Sequence, residues 1–171
     1  GHTVQRFSVA GAASRAVNVI QRVTTMHMSA DVLAAQQAIQ GFQVGPSDLS
    51  VVGGILDAWN QDPAATTKHK YIIKRIKKTA HPIIAASNAN GIQAVATYEE
   101  GSANENRFFI YDIVSNPNRQ PGGARAILHW LAQQAQNKGV SWGVTLQAAD
   151  DQAAAAFEHM GFVAPSSCVI S

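Results

Sequence analysis

One stretch constrains this chain more than any other, the run from Arg107 to Arg125. Its first part, Arg107-Phe-Phe-Ile-Tyr-Asp-Ile-Val114, is β-rich and stops at a polar turn, Ser115-Asn-Pro-Asn-Arg-Gln-Pro121. Gly122-Gly123 follows, and then a helix-forming run from Ala124 to Ala135. A strand, a glycine turn and a helix start together make an anion site. The first amides of the helix have no intrahelical partner, and the helix dipole adds roughly half a positive charge there. Arg119 stands before this mouth and Arg125 lies in the first turn. A cation at a helix N-terminus is unfavourable unless an anion offsets it. The arrangement predicts a bound phosphate.

Two phosphate loops are excluded by their residues. A P-loop ends in Gly-Lys-Ser/Thr, which is missing, and the dinucleotide fingerprint needs a third glycine where Arg125 stands. What remains is Arg119-x-x-Gly122-x-Ala124. It resembles the Q/R-x-x-G-x-G/A pyrophosphate loop of the GNAT N-acetyltransferase superfamily. The alternative is an ordinary strand-to-helix turn with glycines for tightness. The flanking order extends the resemblance. Downstream, a short strand over 141–147 precedes a helix that starts near Asp150-Asp151, acidic residues suited to an N-cap and first turn, and ends at Gly161-Phe162. Upstream, a hairpin pairs 82–87 with 92–99 around Asn88-Ala-Asn-Gly91, whose Asn and Gly supply positive φ. The order β-β-β-α-β-α over residues 82–162 is similar to a GNAT core. The resemblance implies an α/β (α+β) fold with a mixed, mostly antiparallel central sheet flanked by helices.

At 171 residues and 46% hydrophobic, the chain can bury a normal core as a single domain. Gly1 and His2 read as an added remnant, and 1–14 as a flexible lead. No apolar run approaches the ~20 residues of a membrane span, so membrane binding is not expected and a cytoplasmic location is. The lone Cys168 has no internal disulfide partner, and no Cys/His spacing suggests zinc or another metal. A first strand is expected over 15–23, a helix over 31–40, and a second helix over 48–60, capped by Ser47 and weakened at Gly53-Gly54. The tripeptides Val4-Gln-Arg6 and Ile20-Gln-Arg22 are similar to segments of bacterial injection-system effectors, which implies an exported effector or toxin acting in a target cell.

Residues 68–81 carry Lys68, Lys70, Lys74, Arg75, Lys77 and Lys78 with no acid among them, while Ile72, Ile73 and Ile76 fall at helical spacing. The segment reads as an amphipathic helix with a basic outer face. That face is either solvated or turned to an acidic partner, RNA or the phosphates of CoA. The overall charge of +2 makes no case for nucleic acid by itself.

The resemblance implies acetyl-CoA as co-substrate and an amine acceptor on a small molecule, a peptide or an aminoacyl-RNA. A homodimer is compatible with the short tail after Phe162. GNAT proteins polarise the thioester carbonyl with a main-chain N–H near the end of the strand before the glycine loop. Here that places the amide near Val114, freed from the ladder by a β-bulge. The cofactor set implied is Ile113, Val114, Arg119, Gln120, Pro121, Gly122, Gly123, Ala124 and Arg125, together with Asp150 and Phe157. Phe157 occupies the position of the usual tyrosine acid and cannot donate a proton. That departure leaves open a domain that binds CoA, or serves as an interaction module, without fast transfer. Strand alternation puts Phe108, Ile110, Asp112 and Val114 on one face, with Tyr111 on the other as core. Asp112 is then a candidate base, or else a structural carboxylate paired with Arg107 or Arg125. Glu99 and Glu100, at the end of the hairpin strand, are alternative bases if that end lines the acceptor groove.

Overall fold

The computed structural model describes residues 24–29, 36, 39–101, 108–118, 121–138, 143–148 and 150–164. Its strands are β1 (Thr24–Met28), β2 (Gln43–Ser47), β3 (Ile83–Asn88), β4 (Gly91–Glu100), β5 (Phe108–Ser115) and β6 (Val144–Ala148). The described helices are α1 (Leu49–Gln61), α2 (Thr67–Lys77), α3 (Gly123–Asn137) and α4 (Asp151–His159). The strands form one sheet in the order β1-β6-β5-β4-β3-β2. Each neighbouring pair is antiparallel except β5 with β6, which is parallel. This is the mixed, mostly antiparallel sheet that the sequence implies.

Helices cover both faces. On one, α1 and α2 bury Val52, Leu56, Trp59, Ile73 and Ile76 against Ile83, Val95 and Val114 of the sheet. On the other, Ile127, Leu128 and Leu131 of α3 meet Met26, Ile84, Ala96 and Leu146, with Phe162 closing the layer after α4. Burying each such side chain contributes roughly 1.5–3 kcal/mol. The apolar spacing of α1, at 52, 56 and 59, carries its helix through Gly53-Gly54 without a break. Its cap is Asp48 rather than Ser47, since the Asp48 carboxylate accepts from the N–H groups of Ser50 and Val51. In α2, Thr66 and His69 cap each other reciprocally, so the basic helix starts at Thr67 and ends at Lys77, short of the expected 81.

Two strands escaped the sequence reading. β2 contains Gly45-Pro46, which argues against a central strand but is tolerated at a sheet edge. β1 is Thr-Thr-Met-His-Met, whose alternation shows in Met26 and Met28, both 1% exposed. The strand expected over 15–23 and most of the helix expected over 31–40 lie outside the described residues. No described helix is long and apolar enough to cross a membrane.

Candidate active site

The registers of β5 place its one irregularity at Tyr111. Tyr98 of β4 pairs with Ile110 and Thr97 pairs with Asp112, so Tyr111 is an extra residue with no partner in the ladder. The bulge therefore lies three residues before the expected position at Val114, which is itself in register with Val95. A bulge bends its strand and re-aims side chains, and both effects are visible. The parallel ladder with β6 runs Phe108–Val144, Phe109–Thr145, Ile110–Leu146 and stops there, although both strands continue. Beyond Ile110 the ladder between them has a gap, where neither strand pairs with the other. The alternation also reverses. Ile110 packs in the α3 layer, whereas Val114 packs in the α1/α2 layer and Asp112 binds Arg75 of α2. The expected single face for Phe108, Ile110, Asp112 and Val114 is thus corrected by the extra residue. Tyr111 is 37% exposed, not core.

Main-chain direction follows from one hydrogen bond. The N–H of Asn116 donates to the Gln93 carbonyl at 2.9 Å, so Asn116 turns its amide toward β4. Amides alternate along a strand, which gives Val114 and Asp112 the same direction and turns those of Ile113 and Ser115 into the gap. Before the bulge, the N–H of Phe108 points the other way, donating to Gly143 at 2.9 Å. The Val114 amide is therefore a ladder donor, and its two neighbours are the ones aimed at the opening.

At the far end of β5 the chain turns into α3. Gly122 caps this helix with φ 109°, a left-handed conformation that a side chain strains. A Cβ there would stand 3.0 Å from the Phe42 ring. Gly123 is buried. A Cβ on it would come within 3.1 Å of the Ala94 Cβ and 3.3 Å of the Gln93 carbonyl carbon, so its bareness serves helix-to-sheet contact. The first main-chain bond of α3 is Ala126 N–H to the Gly122 carbonyl, 2.8 Å. Among the described residues, no main-chain acceptor meets the N–H of Gly122, Gly123, Ala124 or Arg125. Arg125 is exposed on this first turn, as is Pro121 just before it, while Ala124 is half-buried. Arg119 and Gln120 lie outside the described residues. The turn before them is anchored twice. The Asn116 side-chain amide donates to Gln93 Oε1 at 3.1 Å, and that of Asn118 donates to the Asp62 carboxylate at the end of α1. Gln93, 2% exposed, was not foreseen as this anchor.

The candidate bases sit around the bulge. Asp112 accepts from Arg75 Nε at 2.8 Å and has an 11% exposed side chain, so the described partner is Arg75 and not Arg125, while Arg107 lies outside the described residues. This hydrogen bond to Asp112 holds the Arg75 guanidinium above its ordinary pKa. Glu99 accepts from the Tyr111 hydroxyl, and His81 stacks on the Tyr111 ring at 4.0 Å with 9° between planes. Arg75, Lys78, His81, Tyr111 and Asp112 line a cavity of about 320 Å³. Across the ladder from Asp112, the fully buried Thr97 hydroxyl has no hydrogen-bond partner among the described residues.

Beyond β6, Asp150 caps α4 by accepting from the N–H of Ala153 at 2.7 Å, and lies 3.5 Å from Lys68 of α2. The Ala153 N–H, with Lys68 adding charge, holds the Asp150 carboxyl below the usual carboxylate range. Phe157 is half-buried and tilts against Phe162 at 5.7 Å, a packing role for the residue at the usual acid position.

No protein-family model matches the sequence, and no curated protein matches it. Solved structures do resemble it in shape. An acetyltransferase of the GNAT family from Colwellia psychrerythraea superposes with a TM-score of 0.55 at 12% identity, over 85% of this chain and 53% of that one. A GCN5-related N-acetyltransferase from Kribbella flavida gives 0.51 at 13% identity, over 90% and 60%. A conserved protein of unknown function from Staphylococcus epidermidis ATCC 12228 gives 0.55 at 11%, over 88% and 60%. The chain thus spans little more than half the length of these structures. The likeness of the tripeptides to injection-system effectors finds no counterpart in these comparisons, and the tripeptides lie outside the described residues. The early end of β5/β6 pairing, the glycine turn and these superpositions agree: this chain has the fold of the GNAT N-acetyltransferases.

Proposed function

We propose that this chain is an acetyl-CoA-dependent N-acyltransferase. The observation that carries the reading is the end of β5/β6 pairing at Ile110, with the amides of Ile113 and Ser115 turned to that side, together with the first turn of α3, whose cap Gly122 makes no side-chain hydrogen bond. Acetyl-CoA supplies an acyl group activated as a thioester. The α3 amides, with Arg119, Gln120 and Arg125, suit its diphosphate, because backbone donors and the helix dipole favour negative charge. The Ile113 N–H suits the thioester oxygen, where charge develops during attack, and the Ser115 N–H suits an amide further along the cofactor. The acceptor amine forms the new C–N bond as the C–S bond breaks, and it must lose a proton. Among the described residues, Asp112, with one oxygen held by Arg75, and Glu99, joined to Tyr111, are carboxylates beside the bulge suited to take it. An acceptor class of small-molecule, peptide or RNA-linked amines is consistent with an open rim at the 320 Å³ cavity.

A second reading is favoured by Phe157, which packs against Phe162 and has no hydroxyl: a module that binds CoA without transfer. Thermal denaturation with acetyl-CoA or adenosine tests the cleft, and no stabilisation by acetyl-CoA overturns both readings. Release of free CoA thiol with a panel of amines then separates enzyme from module.

A further inference from the structure

We infer that the outer face of α2 and the cavity at its C-terminal end form a track for single-stranded nucleic acid. Lys70, Lys74 and Lys78 are all exposed. Their four-residue spacing makes one row about 12 Å long. Among the described residues, none of the three pairs with a carboxylate, whereas Lys77 is paired with Asp57 and Arg75 with Asp112. Like charges at this spacing destabilise a helix, and of these three lysines only Lys78 lines the cavity, so one phosphate there would leave Lys70 and Lys74 unneutralised. A row left unneutralised over this length matches a chain of phosphates. Flat rings border the same track. Tyr71 is 61% exposed beside Arg75, and the stacked pair His81–Tyr111 lies at the cavity, with Tyr111 37% exposed. A basic row with exposed aromatic platforms is how proteins hold single strands, the bases stacking while the backbone follows the charge.

The rings argue against an acidic peptide, which has no use for them. An anionic membrane is disfavoured because Ile73 and Ile76 of α2 are buried and Ile72 packs against that same core, leaving no apolar face to insert. The cavity, at about 320 Å³, is in the size range of small-ligand pockets. Binding to this track does not need acyl transfer. Where the function proposed above holds, the track ends at Tyr111 and Asp112, and an amine carried at the end of the strand becomes the acceptor.

Fluorescence anisotropy of the full chain with labelled single-stranded RNA and DNA 12-mers, from 50 to 200 mM salt, tests this. The expected result is binding that weakens with salt. In Lys70→Gln/Lys74→Gln/Lys78→Gln the slope of log affinity against log salt is expected to flatten by about 2. Tyr71→Ala is expected to weaken binding about tenfold. All four positions are exposed, and unchanged melting temperatures confirm that the variants fold. Stabilisation by acetyl-CoA, measured on the same samples, reports separately on the cofactor cleft. No binding of either 12-mer at 50 mM salt overturns the inference, as does a slope unchanged in the triple variant. Equal affinity for AMP overturns it in favour of a free nucleotide. Binding to phosphatidylserine vesicles without binding to the 12-mers overturns it in favour of a membrane.

Discussion

The amide of Asn116 lies 2.9 Å from the carbonyl oxygen of Gln93, and this contact orients every N–H of β5 beyond the bulge. Proline scanning reads the orientation out. Ile113→Pro removes a donor that faces the gap, while Val114→Pro removes one that joins β5 to β4. Ile113→Pro is expected to keep most of the thermal stability and lose acyl transfer, and Val114→Pro to lower Tm markedly. The reverse order of Tm values would mean that Val114, not Ile113, faces the cofactor.

The two glycines at the start of α3 are expected to fail differently. Gly122→Ala strains a backbone at φ 109° and should cost about 1–2 kcal/mol, yet acetyl-CoA should still stabilise it. Gly122→Glu adds a carboxylate beside the diphosphate site and should abolish that stabilisation. Gly123→Ala presses on the Ala94 Cβ at 3.1 Å and should lower stability by a shift of α3. Denaturant melts with and without acetyl-CoA measure all three. Retained cofactor affinity in Gly122→Glu would remove the diphosphate from this turn.

Asp112→Asn should slow transfer while leaving acetyl-CoA affinity unchanged, because the residue lies at the bulge and away from the α3 turn. Arg75→Gln frees both carboxylate oxygens and should alter the rate of transfer. If transfer by Asp112→Asn equals that of the parent at every pH, Asp112 only fastens α2 to β5, and Glu99 takes its place as candidate.

Two substitutions are expected to stabilise. A Cβ at Gly54 meets nothing within 4 Å in the middle of α1, so Gly54→Ala should gain roughly 0.5–1 kcal/mol. Thr97→Val removes a buried hydroxyl without a partner among the described residues and should gain about 1 kcal/mol. Urea titration decides both. A loss in Thr97→Val would show that Asp112 or a water uses the hydroxyl.

Acid should loosen α4. The Asp150 carboxyl is held below its ordinary range by the Ala153 N–H and Lys68, so its contribution is full above about pH 4. That contribution fades as pH falls through the lower native value. Asp48, held down by the Ser50 hydroxyl, behaves likewise at α1. Asp48→Asn/Asp150→Asn keeps both caps and should flatten the acid limb of Tm against pH; an unchanged limb excludes these carboxylates.

What was legible in the sequence was local. Asp150 as a cap, Gly91 in the hairpin turn and the helix start at Gly122-Gly123 are each determined by a few adjacent residues, although the helix begins at Gly123, one residue before the run from Ala124. The site was legible in outline only, because its side-chain directions depend on register. One extra residue at Tyr111 moved Asp112 to the α2 side, and a run apolar on both faces gives no sign of such an insertion. The Arg75–Asp112 pair spans 37 residues, and the burial of Gln93 depends on α3 closing over it. Neither leaves a periodic trace. β2 was hidden by Pro46, whose local preference opposes a strand that the sheet edge nonetheless accepts.

Pro46 has a further effect. It sits on the terminal strand at one side of the sheet, where it has no N–H to offer a newcomer. On the opposite flank, His27 of β1 exchanges bonds of 3.0 and 2.8 Å with Val163. Both margins of the described sheet thus offer a reduced template to a further strand.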